Sequence, residues 1–129
     1  MIAADTSTWI AFFQGEQGKD VELLDQALKD RQVLMVPPVL TELLSDPGIA
    51  SEVSKTLCEL PLLEIRPGFW ERAGALRAKA LAKHRKARLG DALIAQSCLD
   101  AEIPLLTRDR DFRALAEAAA LTMLMDSGT

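Results

Sequence analysis

The chain has 129 residues, with 15 Lys and Arg against 19 Asp and Glu, a formal net charge of −4 and a pI near 5.0. Apolar residues at 49% and charged residues at 26% exclude a disordered chain, which needs low hydrophobicity and high net charge. No apolar run approaches the roughly 18 residues of a membrane span, and Asp5 interrupts the N-terminus before a secretion signal could form.

Residues 2–4 are a short apolar run, and Thr6, Ser7 and Thr8 offer N-caps for a helix carrying Trp9, Phe12 and Phe13. Residues 20–29 place Val21, Leu24, Ala27 and Leu28 on one helical face, with charges opposite. Residues 33–36 read as a buried strand stopped by Pro37. Pro38 suits the first turn of a helix over 39–44, which Pro47 and Gly48 end. Ile49, Val53 and Leu57 repeat at helical spacing as far as Pro61. Residues 62–65 are a second internal strand before the breaker Pro67-Gly68, and 69 to about 87 is the longest helical stretch. Gly90 precedes a helix from 91 to about 100 that is apolar on most sides. Residues 103–106 read as a strand around Pro104, 111–119 as a helix and 121–125 as a last strand. Short apolar strands without alternation, separated by helices, indicate a parallel sheet covered on both faces. The length suits one domain over residues 1–129. Cys58 and Cys98 lack metal-ligand spacing and read as buried free thiols in a reducing cytoplasm.

In parallel α/β sheets ligands bind beyond the carboxyl ends of the strands. Asp5 follows the first strand, Glu42 lies about one turn inside the helix after the second, and Asp91 opens the helix after Gly90. Asp109 stands three residues beyond the strand at 103–106. Four carboxylates gathered on one rim repel one another and take up protons unless a cation compensates them. Hard oxygen donors suit Mg²⁺ or Mn²⁺, and no Cys/His cluster competes. Each acid also has a plainer role: Asp5 as a helix cap, Asp91 at a helix dipole, Asp109 in a turn, Glu42 on a solvated face. Glu42 fits that last role poorly, since Val39, Leu40, Leu43 and Leu44 flank it.

Four segments in order carry a resemblance: Asp5-Thr6-Ser7, Thr41-Glu42-Leu43, Gly90-Asp91-Ala92-Leu93-Ile94-Ala95 and Leu106-Thr107-Arg108-Asp109-Arg110-Asp111-Phe112. Together they resemble the PIN-domain ribonucleases, and the short chain resembles the VapC-type toxins of bacterial toxin–antitoxin pairs. No single motif is specific; the ordered set is. The resemblance implies a three-layer α/β/α sandwich with a mostly parallel sheet and a Mg²⁺- or Mn²⁺-dependent endoribonuclease. It also implies a homodimer held silent by a small antitoxin. By position, Asp5, Asp91 and Asp109 match metal ligands, and Glu42 matches a further catalytic acid. Asp111 is close enough to share the site, and equally suits a cap for the last helix. Ser7 and Thr107 match small hydroxyl positions that support the carboxylates, and both also suit turn or cap roles. A non-catalytic PIN-like module binding RNA or protein is the alternative; intact acids at all four positions weigh against it.

A divalent ion lowers the pKa of water and neutralises phosphate charge, which suits a chain with one histidine. A nuclease using paired histidines is excluded, and His84, among Lys83, Arg85 and Lys86, reads as solvated. The acidic pI conceals an uneven charge map. Residues 72–88 hold Arg72, Arg77, Lys79, Lys83, Arg85, Lys86 and Arg88 without an acid, carrying +7 and leaving −11 elsewhere. On a continuous helix Arg72, Lys79, Lys83 and Lys86 form one stripe that runs toward Asp91, with Arg77 nearer the apolar side and within reach of a carboxylate. With Arg88, Arg108 and Arg110 they are the expected RNA phosphate contacts. The absence of Tyr, with two Trp and four Phe, argues against a base-stacking platform. Trp9, Phe12 and Phe13 read as core or as a dimer and antitoxin surface, and Phe112 as core. A phosphoacceptor domain would need adjacent acids after the first strand. An Asp-x-Asp-x-Thr phosphatase would need an acid where Ser7 stands.

Overall fold

The computed structural model describes residues 1–119 and 121–125. Strands β1 (Ala3–Ala4), β2 (Leu105–Thr107) and β3 (Met123–Met125) pair in parallel in that order, with Ala3 opposite Leu105 and Leu105 opposite Met123. Two single parallel bridges, Ile2 to Val33 and Met35 to Leu62, extend the sheet beyond β1. The strands expected at 33–36 and 62–65 therefore shrink to isolated bridges. The backbone N–H of Met35 donates to the Pro61 carbonyl at 2.8 Å and that of Leu63 to the Met35 carbonyl at 2.9 Å. Pro37 and Pro61 bring no N–H of their own, so the ladder goes little further. Pro104 acts likewise before β2: its carbonyl accepts from Ala3 at 3.2 Å, but the strand begins one residue later.

Successive strand residues face opposite sides of a sheet. Ala3, Ala4, Leu105, Leu106 and Thr107 are all at most 1% exposed, so both faces are covered, as an α/β/α sandwich requires. The covering helices are α1 (Thr6–Phe13), α2 (Lys19–Lys29), α3 (Pro37–Leu44), α4 (Ser51–Glu59), α5 (Phe69–Ala82), α6 (Leu89–Ala101) and α7 (Phe112–Ala118). α2 packs on α1, β2 and β3, whereas α6 packs on α3, α5 and α7. Leu24, Met35, Val39, Leu57, Ile94 and Leu115 sit in the common core. Each such side chain contributes about 1.5–3 kcal/mol by leaving water. Phe112 joins them, as expected.

Three local expectations are corrected. The helix expected to reach about residue 87 ends at Ala82. His84 takes a left-handed φ of 58°, its N–H bonding the Leu81 carbonyl at 2.9 Å and that of Arg85 the Ala80 carbonyl at 3.0 Å. This paired return to the last turn is a Schellman stop, built here on a non-glycine residue and so without a sequence breaker to announce it. α6 starts at Leu89, before Gly90, which places Asp91 third in the helix. Cys98 is buried, but Cys58 is exposed; both are free thiols.

Candidate functional site

Asp5 leaves β1 with its backbone still in register, its N–H donating to the Leu106 carbonyl at 2.9 Å. It then becomes the N-cap of α1, with Oδ1 accepting from the Thr8 N–H at 3.1 Å. Ser7 donates its hydroxyl to the same Oδ1 at 2.6 Å, and Thr107 donates to Oδ2 at 2.6 Å. Both hydroxyl oxygens also accept: Ser7 Oγ from the Arg108 N–H at 3.1 Å, Thr107 Oγ1 from the Asp109 N–H at 2.9 Å. The end of β1 is thus stitched to the turn after β2. Asp5 is only 3% exposed, and burial lifts its pKa; the hydroxyl and N–H donors oppose that, while Asp109 adds to it.

Asp91 is half-buried in the first turn of α6, and its pKa is pushed up to about 6. Burial is the main cause, followed by the charge on Asp109; Arg88 pulls the other way, and Asp5 and Glu42 push up again. All four expected acids therefore share one electrostatic neighbourhood, although they come from β1, α3, α6 and the turn after β2. Asp91 Oδ2 is buried without a hydrogen-bond partner among the described residues. An orphaned buried oxygen of this kind costs about 1–3 kcal/mol, more if charged. Contrary to the expectation from its apolar neighbours, Glu42 is exposed on α3, beside a cleft of about 260 Å³ whose walls include Thr6, Ile10, Phe13 and Leu43. Asp109 is half-buried, and its Oδ1 accepts from the Asp111 N–H at 2.9 Å.

Among the described residues no three His, Cys, Asp or Glu side chains already form a cage for a metal ion. The fit to a divalent cation rests instead on the donor chemistry, hard carboxylate oxygens, and on the unpartnered Oδ2 of Asp91. Both deficits, the raised pKa and the missing partner, are of the sort that a cation removes.

The remaining residues divide. Asp111 makes no cap hydrogen bond; it pairs with Lys86 at 3.2 Å and Arg88 at 3.8 Å, so the basic segment after α5 does reach the site's margin. Lys83 lies at the stop of α5, and Arg110 is exposed beside Asp109. Because α5 ends early, the expected basic stripe breaks: Lys79 stays on the helix while Lys83 and Lys86 follow the turn. Arg85 pairs with Glu117. Arg72 is pinned far from this margin in a two-pronged pair with Asp100, Nε to Oδ1 at 3.0 Å and Nη2 to Oδ2 at 2.5 Å, and also bonds the Pro67 carbonyl. Arg77 binds the Ala87 carbonyl at 2.9 Å, where a carboxylate was expected. Arg108 turns away from the rim and grips Asp20, Nε to Oδ2 at 2.8 Å and Nη2 to Oδ1 at 3.1 Å. No sequence signal marked Asp20, which looks like any acid in the first turn of an amphipathic helix. Trp9, Phe12 and Phe13 split: Trp9 is buried, Phe12 half-buried, and Phe13, stacked on Trp9 at 5.8 Å, is exposed beside the cleft.

A parallel α/β sandwich with an acidic rim at the strand ends defines a class, and the comparisons place the chain within it. A family model for the PIN domain matches residues 2–118, and the chain belongs to that family. No curated protein matches it. Among solved structures it is similar to VapBC-5 of Mycobacterium tuberculosis, a member of the VapBC family of toxin–antitoxin systems. That match has 21% identity and a TM-score of 0.70, covering 96% of this chain and 97% of that one. VapBC2 of Rickettsia felis, solved on a DNA fragment from its promoter, matches at 18% identity and a TM-score of 0.73, covering 97% and 98%. FitAcB of Neisseria gonorrhoeae matches at 15% and 0.68, covering 96% of both. These likenesses establish a shared fold. No described helix is long and apolar enough to cross a membrane.

Proposed function

We propose that this protein is a Mg²⁺- or Mn²⁺-dependent endoribonuclease, the toxin of a cytoplasmic toxin–antitoxin pair, acting as a single PIN-like domain. One observation carries the reading: Asp91, with an unpartnered buried oxygen, in the field of Asp5, Asp109 and Glu42. Membership of a family whose proteins are generally nucleases supports it. The fold shared with VapBC and FitAcB structures favours the toxin and its small antitoxin partner.

Asp5, Asp91 and Asp109 would hold the ion. When bound, it supplies neutralisation of phosphate charge and activation of water. Ser7 and Thr107 hold the Asp5 carboxylate in one orientation through its two oxygens. Glu42, exposed on α3 and felt electrostatically at Asp91, is the acid assigned in this reading to proton exchange with solvent. Lys83, Lys86, Arg88 and Arg110 are the phosphate contacts, with Lys79 farther along α5. Asp111 orders Lys86 and Arg88 beside the site. Exposed Ile10 and Phe13 beside the cleft supply apolar surface for the antitoxin or for a second copy in a homodimer.

The test is incubation with labelled RNA and Mg²⁺ or Mn²⁺. Cleavage is expected, with loss in EDTA and in Asp5→Asn and return when metal is restored to the wild type. RNA binding without cleavage at saturating Mn²⁺ would favour the non-catalytic module instead.

A further inference from the structure

Asp20 is the least expected charge in the molecule. It is 1% exposed, it lies outside the acidic rim, and its side chain bonds Thr8 on the helix that Asp5 caps and Arg108 in the turn that carries Asp109. One oxygen, Oδ2, accepts from the Thr8 hydroxyl at 2.9 Å and from Arg108 Nε at 2.8 Å; the other accepts from Arg108 Nη2 at 3.1 Å. Arg108 Nη2 also bonds the Gln17 carbonyl at 2.6 Å. Burial opposes the Asp20 charge, but the Arg108 guanidinium and the Thr8 hydroxyl hold its pKa below the ordinary carboxylate range.

Thr8 bonds Asp5 directly, and Arg108 reaches it through Ser7. Thr8 gives its N–H to Asp5 Oδ1, and Arg108 gives its N–H to Ser7, whose hydroxyl goes to the same oxygen. Arg108 also stands between Thr107, which holds the other Asp5 oxygen, and Asp109. We infer that Asp20 is a positioning residue: by gripping Thr8 and Arg108 together it sets the spacing between the Asp5 and Asp109 carboxylates. A point charge would not suffice. The planar guanidinium fork, engaged at both Asp20 oxygens, fixes direction as well as distance.

This inference rests on the reading of the rim as a divalent-cation site. Its experiment is therefore Mn²⁺ binding to the full chain, by calorimetry and by loss of the free-ion electron paramagnetic resonance signal, without RNA. Asp20→Asn keeps shape but removes charge, and Arg108→Lys keeps charge but removes the fork. Each is expected to weaken Mn²⁺ binding by about 10–100-fold, as losing an outer partner of a metal ligand does. The double variant is expected to be little worse than either single one. Asp100→Asn, which breaks the distant pair with Arg72, is the control for general loosening, and its Mn²⁺ affinity is expected to match wild type. If Asp20→Asn does not fold, Arg108→Lys decides alone. Wild-type affinity in the folded Asp20 and Arg108 variants overturns the positioning role while leaving the cation site standing. Equal weakening in Asp100→Asn overturns it too. A wild-type protein that binds no Mn²⁺ removes the site itself, and the inference with it.

Discussion

Asp5 and Asp91 are two carboxylates of one rim, both lifted in pKa by burial, yet built in opposite ways. Asp5 has donors on both oxygens: Ser7 and the Thr8 N–H on one, Thr107 on the other. Asp91 leaves Oδ2 buried with no donor among the described residues, and its neighbours Asp109, Asp5 and Glu42 add negative charge. Asp5 is held by the fold in advance; Asp91 is left in deficit by it. Under the proposed function, the difference picks out Asp91 as the acid that a bound cation would compensate most. The fold supplies three donors to one acid and, among the described residues, none to the buried Oδ2 of the other.

The largest expected effect comes from neutralising either acid. Asp5→Asn and Asp91→Asn are each expected to lower metal-dependent RNA cleavage by at least about a hundredfold, the loss typical of a group that stabilises transition-state charge. Single-turnover cleavage at saturating Mn²⁺ measures it, and near-wild-type rates in either variant would break the mechanism. Stability should separate the two where activity does not. In metal-free protein, Asp5→Asn puts an amide NH₂ where the Ser7 or Thr107 hydroxyl needs an acceptor, a lost buried hydrogen bond that outweighs the relieved charge, and is expected to destabilise by about 1–3 kcal/mol. Asp91→Asn removes an uncompensated charge and is expected to be neutral or stabilising. Urea unfolding in EDTA reads both, and shifts of the same sign would undo the contrast between the acids.

The contrast has a pH signature of intermediate size. The Asp91 pKa rises from 3.8 to about 6 on folding, so the folded protein holds this proton more tightly than the unfolded chain. Its charge therefore costs nothing below about pH 4, and the cost grows as pH rises toward 6 and is complete above it. Two pKa units would amount to about 3 kcal/mol, but a half-buried group is screened, and about 1 kcal/mol is the expected net loss. Asp5 shifts in the same direction and adds to it. Metal-free wild type should thus be less stable at pH 7.5 than at pH 5, Asp91→Asn should show a shallower fall, and Mn²⁺ should flatten the wild-type profile. Parallel slopes for the two proteins would remove Asp91 as the source.

Much of this site is legible in the sequence, because strand ends are. An apolar run followed at once by Asp5, and another followed by Thr107 and Asp109, place acids on one rim as soon as the sheet is parallel. What is not legible is where long side chains go. Arg72 and Arg108 sit in runs that look equally basic, yet Asp100 and Asp20, 28 and 88 residues away, claim them. Nor does the sequence announce the end of α5, since Lys83-His84-Arg85 contains neither Gly nor Pro and the stop lies in backbone bonds to Ala80 and Leu81. The sheet is under-read for the opposite reason: apolar runs at 33–36 and 62–65 have strand composition, but prolines 37 and 61 ration the backbone donors. Periodicity reports faces, and burial follows from faces; the direction of an ion pair depends on a partner that only the fold supplies.

The smallest effect tests that last point and extends the comparison from acids to bases. Lys86 and Arg88 lean on Asp111 at the margin of the rim, whereas Arg72 is committed to Asp100 at the far end of α6. A phosphate contact releases counterions, so each one lost should flatten the salt dependence of binding by somewhat less than one unit of log–log slope for single strands. In a cleavage-dead Asp5→Asn background, replacing Lys86 and Arg88 together by Ala is expected to weaken RNA binding a few-fold at low salt and to reduce the slope by about 1.4. Arg72→Ala is expected to leave the slope unchanged, although it belongs to the same basic run. A slope that falls equally for Arg72→Ala would mean that RNA follows the whole of α5 and not the turn that leads into Asp91, and the basic face would then have to be drawn along the helix.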